Sequence, residues 1–320
     1  MGGDNLPLFS TLVSLAPMFH RVLFFVGLTA ALTAGPACAQ TIEPPEALPG
    51  ESAAADQPVV LEGPKDLPPP TSLYEFLGYR WSTSSIDWII GSDDRFGMVS
   101  LASDHYTNAG LQRGLGIDLG FHFLDGPVQT DMPPRLFDFG LGYQWRGQLG
   151  PLRFDLATSV VASSDFEGSA RRGIRFPSHA VGFYSLNPAL DLVFGIDYLD
   201  RGDIKLLPVG GVILIPRPEL RFELVFPRPR AVLRLTDFDR LYLAGELGGG
   251  TWAIERVDGS DDLATYRDLR LALGVEHTDK DRSRSALEIA YLFGRRLEYA
   301  SDIGNMPLDD AIMLRLVTSY

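Results

Sequence analysis

Phe137-Asp138-Phe139-Gly140-Leu141-Gly142-Tyr143-Gln144-Trp145-Arg146 carries an apolar residue at every odd position and a polar or small one at every even position. In an extended strand successive side chains point to opposite faces, so this stretch builds a sheet with one apolar and one polar face. The preceding run, residues 114 to 123, repeats it. Leu115, Ile117, Leu119, Phe121 and Phe123 point one way, and Gly114, Gly116, Asp118, Gly120 and His122 the other.

The pattern extends to the end of the chain. Further apolar faces are Leu152, Phe154, Leu156, Val160; Leu190, Leu192, Phe194, Ile196, Tyr198; Leu220, Phe222, Leu224, Phe226; and Ala231, Leu233, Leu235. After them come Leu241, Leu243, Leu247; Leu269, Leu271, Leu273, Val275; Leu287, Ile289, Tyr291, Phe293; and Ile312, Leu314, Leu316, Tyr320. No position on this face is charged. The alternate face holds Asp118, Arg146, Arg153, Asp155, Asp191, Arg221, Glu223, Arg234, Arg270 and Glu288, with Glu246, Glu276 and Arg315. Two faces so different match two different solvents. Weaker strands are expected at 96–103, 178–186, 204–215 and 251–257. The total is then about ten to fourteen strands, with about twelve as the central value and an even number by the rule for single-chain membrane barrels.

Short punctuation falls at Leu186-Asn187-Pro188, Pro227-Arg228-Pro229-Arg230 and Gly248-Gly249-Gly250, while residues 125–135, 164–177 and 299–309 read as longer surface loops. A soluble sandwich or lipocalin-like barrel also alternates, with its apolar face inward. Three features favour the opposite arrangement: an apolar face free of charge over many strands, runs approaching the roughly 9–11 residues of a tilted spanning strand, and an export signal. Lipid offers no hydrogen bonds, so a spanning sheet must close on itself. The expected fold is an all-β, antiparallel, up-and-down transmembrane barrel over residues 95–320.

The export signal lies near the start. Met18-Phe19-His20-Arg21 precedes an apolar stretch from Val22 to Ala34 and the small-residue exit Ala37-Cys38-Ala39, which places cleavage after Ala39 and makes residues 1–39 a signal peptide. Pro36 makes lipid attachment at Cys38 the weaker alternative. Residues 40–72 are rich in proline and read as a semi-extended linker, and 73–94, with Tyr74, Phe76, Tyr79, Trp81 and Trp88, fit an interfacial segment, a plug or a first strand. The 41 acids exceed the 28 bases to give a net charge of −13, which argues against nucleic acid as a partner.

The last ten residues, Ala311 to Tyr320, alternate and end on an aromatic residue. They resemble the terminal strand signal of bacterial outer-membrane proteins, which implies recognition of Ile312, Leu314, Leu316 and Tyr320 by the barrel-assembly machinery. The segment Ser285 to Tyr299, with Leu308-Asp309-Asp310 and the last strand, is similar to the final hairpin of an uncharacterised family of bacterial outer-membrane β-barrels known only as a domain of unknown function. That resemblance implies no catalytic residues.

The chemistry is sparse. His105, His122, His179 and His277 stand far apart without metal-ligand spacing. Asp258-Gly259-Ser260-Asp261-Asp262 lacks the full ligand pattern of a calcium loop and reads as a solvated acidic turn. Ser178-His179 is the one arrangement suggestive of a barrel-embedded lipid hydrolase, but no Gly-x-Ser-x-Gly elbow accompanies it. Neither enzymatic activity nor a cofactor is expected. The charged inner face points instead to a lumen for small solutes in the bacterial outer membrane, lined by the ten charges from Asp118 to Glu288 named above. Arg153 with Asp155 and Arg221 with Glu223 are candidate eyelet or stapling charges; the competing expectation is a structural or interaction barrel in which such charges pair and fill the interior.

Overall fold

Each alternating run divides two environments, and in the computed structural model the runs join edge to edge into one closed antiparallel sheet. The structure describes residues 82–320 apart from 93, 109–112, 127, 169, 280–282 and 320. The expected signal peptide over 1–39, the expected linker over 40–72 and Tyr320 lie outside these residues.

The strands are β1 (Ser82–Ile89), β2 (Gly97–Asn108), β3 (Arg113–Asp125), β4 (Arg135–Leu149), β5 (Leu152–Ser164), β6 (Ile174–Arg175), β7 (Ser178–Asn187) and β8 (Leu190–Tyr198). Then come β9 (Leu206–Arg217), β10 (Leu220–Phe226), β11 (Arg230–Arg234), β12 (Asp239–Glu255), β13 (Asp261–Thr278), β14 (Arg284–Tyr299), β15 (Met306–Pro307) and β16 (Ala311–Ser319). The two-residue β6 and β15 only edge β5 and β14. The others form a closed barrel of 14 strands, sealed where β1 meets β16 from Thr83↔Ser319 to Ile89↔Met313.

That count sits at the top of the range read from the sequence, two above its central value. Residues 82–89 form the first strand, one of the readings left open for 73–94. Residues 251–257 are not a separate strand, because Gly248-Gly249-Gly250 is no turn: it lies inside β12. Gly249 has φ +103° and a Cβ there would fall 2.0 Å from the Tyr266 carbonyl oxygen, while a Cβ on Gly248 would strike the Asp268 and Arg270 side chains. The glycines bend a continuous strand and clear space for the charges beside it.

Connections alternate in length around the ring. One end carries the short turns 150–151, 188–189 and 218–219; the other carries 126–134, 165–177 and 300–310. All three loops expected from sequence therefore share one end. The turn 227–229 lies at that end too, although it is short.

The outward face holds the apolar series of the sequence: Leu115, Leu141 and Leu287 are 64%, 68% and 62% exposed, and Phe139, Leu271 and Ile289 are also exposed. Aromatic residues gather toward both ends of β4. Phe137 and Phe139 meet Phe121 and Phe166 near the long-loop end, and Trp145 meets Phe154 near the short-turn end.

Strand heights are unequal. β11 pairs only with residues 240–244 of β12, so from Glu246 onward β12 keeps β13 on one edge and has no strand ladder on the other until Ala253 touches Ser164 of β5. The bend at Gly249 allows that crossing. Gly249→Val is expected to lower unfolding free energy in detergent by about 2–4 kcal/mol, combining a disfavoured φ with a backbone clash. A denaturant titration that coincides with the parent protein would show that β12 does not need the bend.

Candidate functional site

The barrel interior is built by register. Arg315 of β16 lies opposite Asp87 of β1 and Glu288 of β14. Its guanidinium donates to Asp87 at 2.9 and 3.0 Å, to Glu246 of β12 at 2.8 Å and to Glu288 at 3.4 Å. Arg270 of β13 donates to Asp268 at 2.7 Å and lies 3.7 Å from both Asp87 and Glu246. Tyr242 donates to Glu288. One network thus spans β12, β13, β14, β16 and β1, across the seam where the first strand meets the last.

Other groups follow the same logic. Glu276 gathers Arg240 at 2.9 Å and Arg230 and Arg284 at 3.5 Å, and the Arg230 guanidinium stacks 3.8 Å above the Tyr242 ring. Asp155, fully buried, accepts from Gln144, from Arg146 at 3.1 Å and lies 3.2 Å from His179. Arg221 and Glu223 pair at 2.6 Å, as their spacing suggested. Arg153 does not pair with Asp155. It reaches Asp191 at 3.2 Å and Ser185 at 2.9 Å, because the ladder sets Arg146 directly across from Asp155.

A third wall is acidic. Asp104 of β2 is directly across from Asp118 of β3, and Asp118 Oδ1 is buried without a donor. Beside them His122 lies 2.7 Å from Asp138 and 2.8 Å from Ser100, and the Trp252 indole donates to Asp138 at 3.0 Å from β12, which meets β5 at that height.

Cavities lie among these groups, two of which carry the charges of interest. One of about 360 Å³ is lined by Arg230, Tyr242, Glu276, Arg284 and Glu288; one of about 550 Å³ by Asp87, Asp118, His122, Asp138, Arg175, Arg201 and Arg270. Ser85, Asp104, Arg228, Glu246 and Arg315 line both. Of the ten charges expected along a lumen, Asp118, Arg270 and Glu288 therefore border a cavity. Arg146, Arg153, Asp155, Asp191, Arg221, Glu223 and Arg234 border neither of these two.

Sequence reasoning left Arg315 and Glu246 out of the expected set, though both share the inward parity of their strands. Asp87 sits in the segment left open, and Arg228 in what read as mere punctuation.

The long-loop end of the interior is apolar. Ile89, Phe96, Met98, Leu136, Trp252, Ile254, Tyr266, Leu292, Leu297, Tyr299 and Met313 form one buried cluster there. Arg295 runs through it, donating to the Phe96 and Asp309 carbonyl oxygens and to the Tyr266 hydroxyl.

The remaining motifs resolve structurally. Ser178 hydrogen-bonds Thr158 and the Phe176 carbonyl, while His179, its neighbour on a strand, faces Asp155 on the other side, so the two do not form a nucleophile–base pair. In the 256–260 turn, the Ser260 hydroxyl and amide hold the Asp258 carboxylate below its usual range. Asp262 is taken by Arg256 and Ser301. Among the described residues no group of three or more acid, His or Cys side chains is placed to hold a metal.

No family model matches the chain, and no curated protein sequence matches it. The similarity of residues 285–299 to an uncharacterised barrel family accordingly stays a resemblance. Several solved structures align with the barrel at low similarity. The KdgM porin aligns at 7% identity and TM-score 0.35, covering 74% of this chain and 99% of the porin. The NanC porin aligns at 8% identity and TM-score 0.37, covering 75% and 98%. The Pseudomonas putida toluene transporter TodX aligns at 9% identity and TM-score 0.33, covering 78% and 93%.

Replacing Arg315 with Met strands Asp87, Glu246 and Glu288 without their shared cation. A loss of about 3–5 kcal/mol is expected in denaturant unfolding, against about 0.5 kcal/mol or less for Arg296→Ala on the surface. Equal effects for the two would remove the seam network from the account of stability.

Proposed function

We propose that this chain is an outer-membrane β-barrel that conducts small polar or charged solutes through its interior. The observation that carries the reading is the opposition of its two faces: exposed leucine, isoleucine and phenylalanine around a closed ring, and charges bordering two cavities within it. A closed ring leaves no lipid-facing strand edge unpaired over most of its circumference, and an exposed apolar belt is costly in water but neutral in hydrocarbon. Export through a signal peptide, and assembly through the terminal strand with Ile312, Leu314 and Leu316, belong to the same proposal.

The second reading, a structural or interaction barrel with a closed lumen, is favoured by the apolar cluster that fills the long-loop end. Single-channel conductance in a planar bilayer separates the two. Discrete steps from folded protein support conduction; silence at verified insertion supports the closed barrel and overturns the channel.

Two substitutions extend the test. Asp104→Asn with Asp118→Asn is expected to shift the reversal potential in a KCl gradient toward anion preference; an unchanged potential would place the conducting path elsewhere. Leu141→Arg on the outward face is expected to cost about 2–4 kcal/mol of folding stability in vesicles, falling toward zero for arginine placed near either rim. Equal costs at both depths would argue against a lipid-facing belt.

A further inference from the structure

Three polar residues that the chain separates by 22 and 16 positions meet on the inner wall. Ser100 of β2 lies directly across the ladder from His122 of β3, and Asp138 of β4 stands opposite Gly120, the inward position just before His122. Cross-strand neighbours of this kind come within hydrogen-bonding reach of one another. Gly120 leaves the space in which the acid and the imidazole meet: a Cβ there would fall 2.9 Å from Asp138 Oδ2 and 3.3 Å from His122 Nε2.

The hydrogen bonds assign the roles. An ionised carboxylate only accepts, so His122 Nε2 carries the proton that it gives to Asp138 Oδ2 at 2.7 Å. In the neutral imidazole Nδ1 then keeps its lone pair, and it accepts the Ser100 hydroxyl at 2.8 Å. The Trp252 indole donates to the other Asp138 oxygen at 3.0 Å and makes an edge contact with the His122 ring, their centres 5.2 Å apart, so one side chain steadies both. Ser100, His122 and Asp138 all border the 550 Å³ cavity, whose lining also includes the apolar Ile89, Met98 and Val161.

We propose that this constellation hydrolyses small uncharged carboxylic esters, with Ser100 as nucleophile, His122 as general base and acid, and Asp138 and Trp252 as positioning residues. A hydroxyl bonded to an imidazole whose far nitrogen is held by a carboxylate is the arrangement that makes serine a nucleophile near neutral pH. Ser100 Oγ bonds to the ester carbonyl carbon as its proton passes to His122 Nδ1. That proton moves to the alcohol oxygen as the carbon–oxygen bond of the ester breaks, leaving an acyl group on Ser100. Water then adds to the acyl carbon and gives a proton to Nδ1, which returns it to Ser100 Oγ as the carboxylic acid leaves.

The cavity volume falls in the range of small-molecule sites, and its apolar residues suit a short acyl chain. Asp104 and Asp118 border the same cavity, disfavouring an anionic substrate and repelling the carboxylate product. Hydrolysis at this wall needs no conduction through the barrel.

The test uses the full chain in detergent, its β structure verified by circular dichroism, with p-nitrophenyl butyrate as substrate and a fluorophosphonate as covalent probe. Turnover above the detergent blank is expected, together with one adduct that peptide mass spectrometry places on Ser100. Ser100→Ala is expected to remove the adduct and return turnover to the blank. In Asp138→Asn the amide can donate to Nε2, which moves the imidazole proton to Nδ1; it and His122→Gln are expected to slow turnover and labelling by about a hundredfold or more. Folded parent protein that lacks either the Ser100 adduct or the turnover overturns the site, as does turnover that Ser100→Ala leaves unchanged. Labelling rates decide the matter without Ser100→Ala: equal rates in the parent and Asp138→Asn overturn the site, because a purely structural network would not activate the hydroxyl.

Discussion

Backbone hydrogen bonding is the constraint on which the rest of this structure depends. A sheet edge left bare in hydrocarbon costs several kcal/mol per unmet group, so an outward apolar face obliges the sheet to close. Closure then dictates the rest: fourteen strands paired in chain order, both ends of the ring on one side, and a final strand that must match the first residue by residue. Where the ladder fails along the edge of β12 beyond Ala244, arginine and amide donors from neighbouring segments meet its carbonyls individually.

Closure also decides where charge can be kept. Arg315, Asp87 and Glu288 are cross-strand neighbours only because β16 lies between β14 and β1, so the seam brings an arginine between two carboxylates contributed by opposite ends of the ring. Desolvating such ions is costly, and the arrangement repays that cost by sharing: Arg315 serves three acids, and Glu276 serves three arginines. Removing one member therefore leaves several others uncompensated.

The interior is divided along its length. Polar groups and cavities occupy the middle, and a buried apolar cluster fills the long-loop end, where a wide pore would be open. The β5–β12 contact and the low β10–β11 hairpin belong to the same design. The wall drops beside the place where the axis is filled, and Arg175, Arg201 and Gly202 reach across the drop to β12.

The sequence by itself determined the sheet and its two faces. The run from Phe137 to Arg146 fixes strand period and parity, and parity alone put Arg221 on one face with Glu223 and Leu141 on the face opposite to Gln144 and Arg146. It also implied closure, through the uncharged outer face. Tertiary structure decided what depends on register and strand height. Arg153 pairs with Asp191, not Asp155, because β5, β7 and β8 align that way. Gly248-Gly249-Gly250 reads locally as a turn, yet its glycines bend a strand that crosses to β5. Side-chain period is a property of neighbouring residues and is written in the sequence, whereas register is a choice among many pairings of distant strands, settled only when the ring closes.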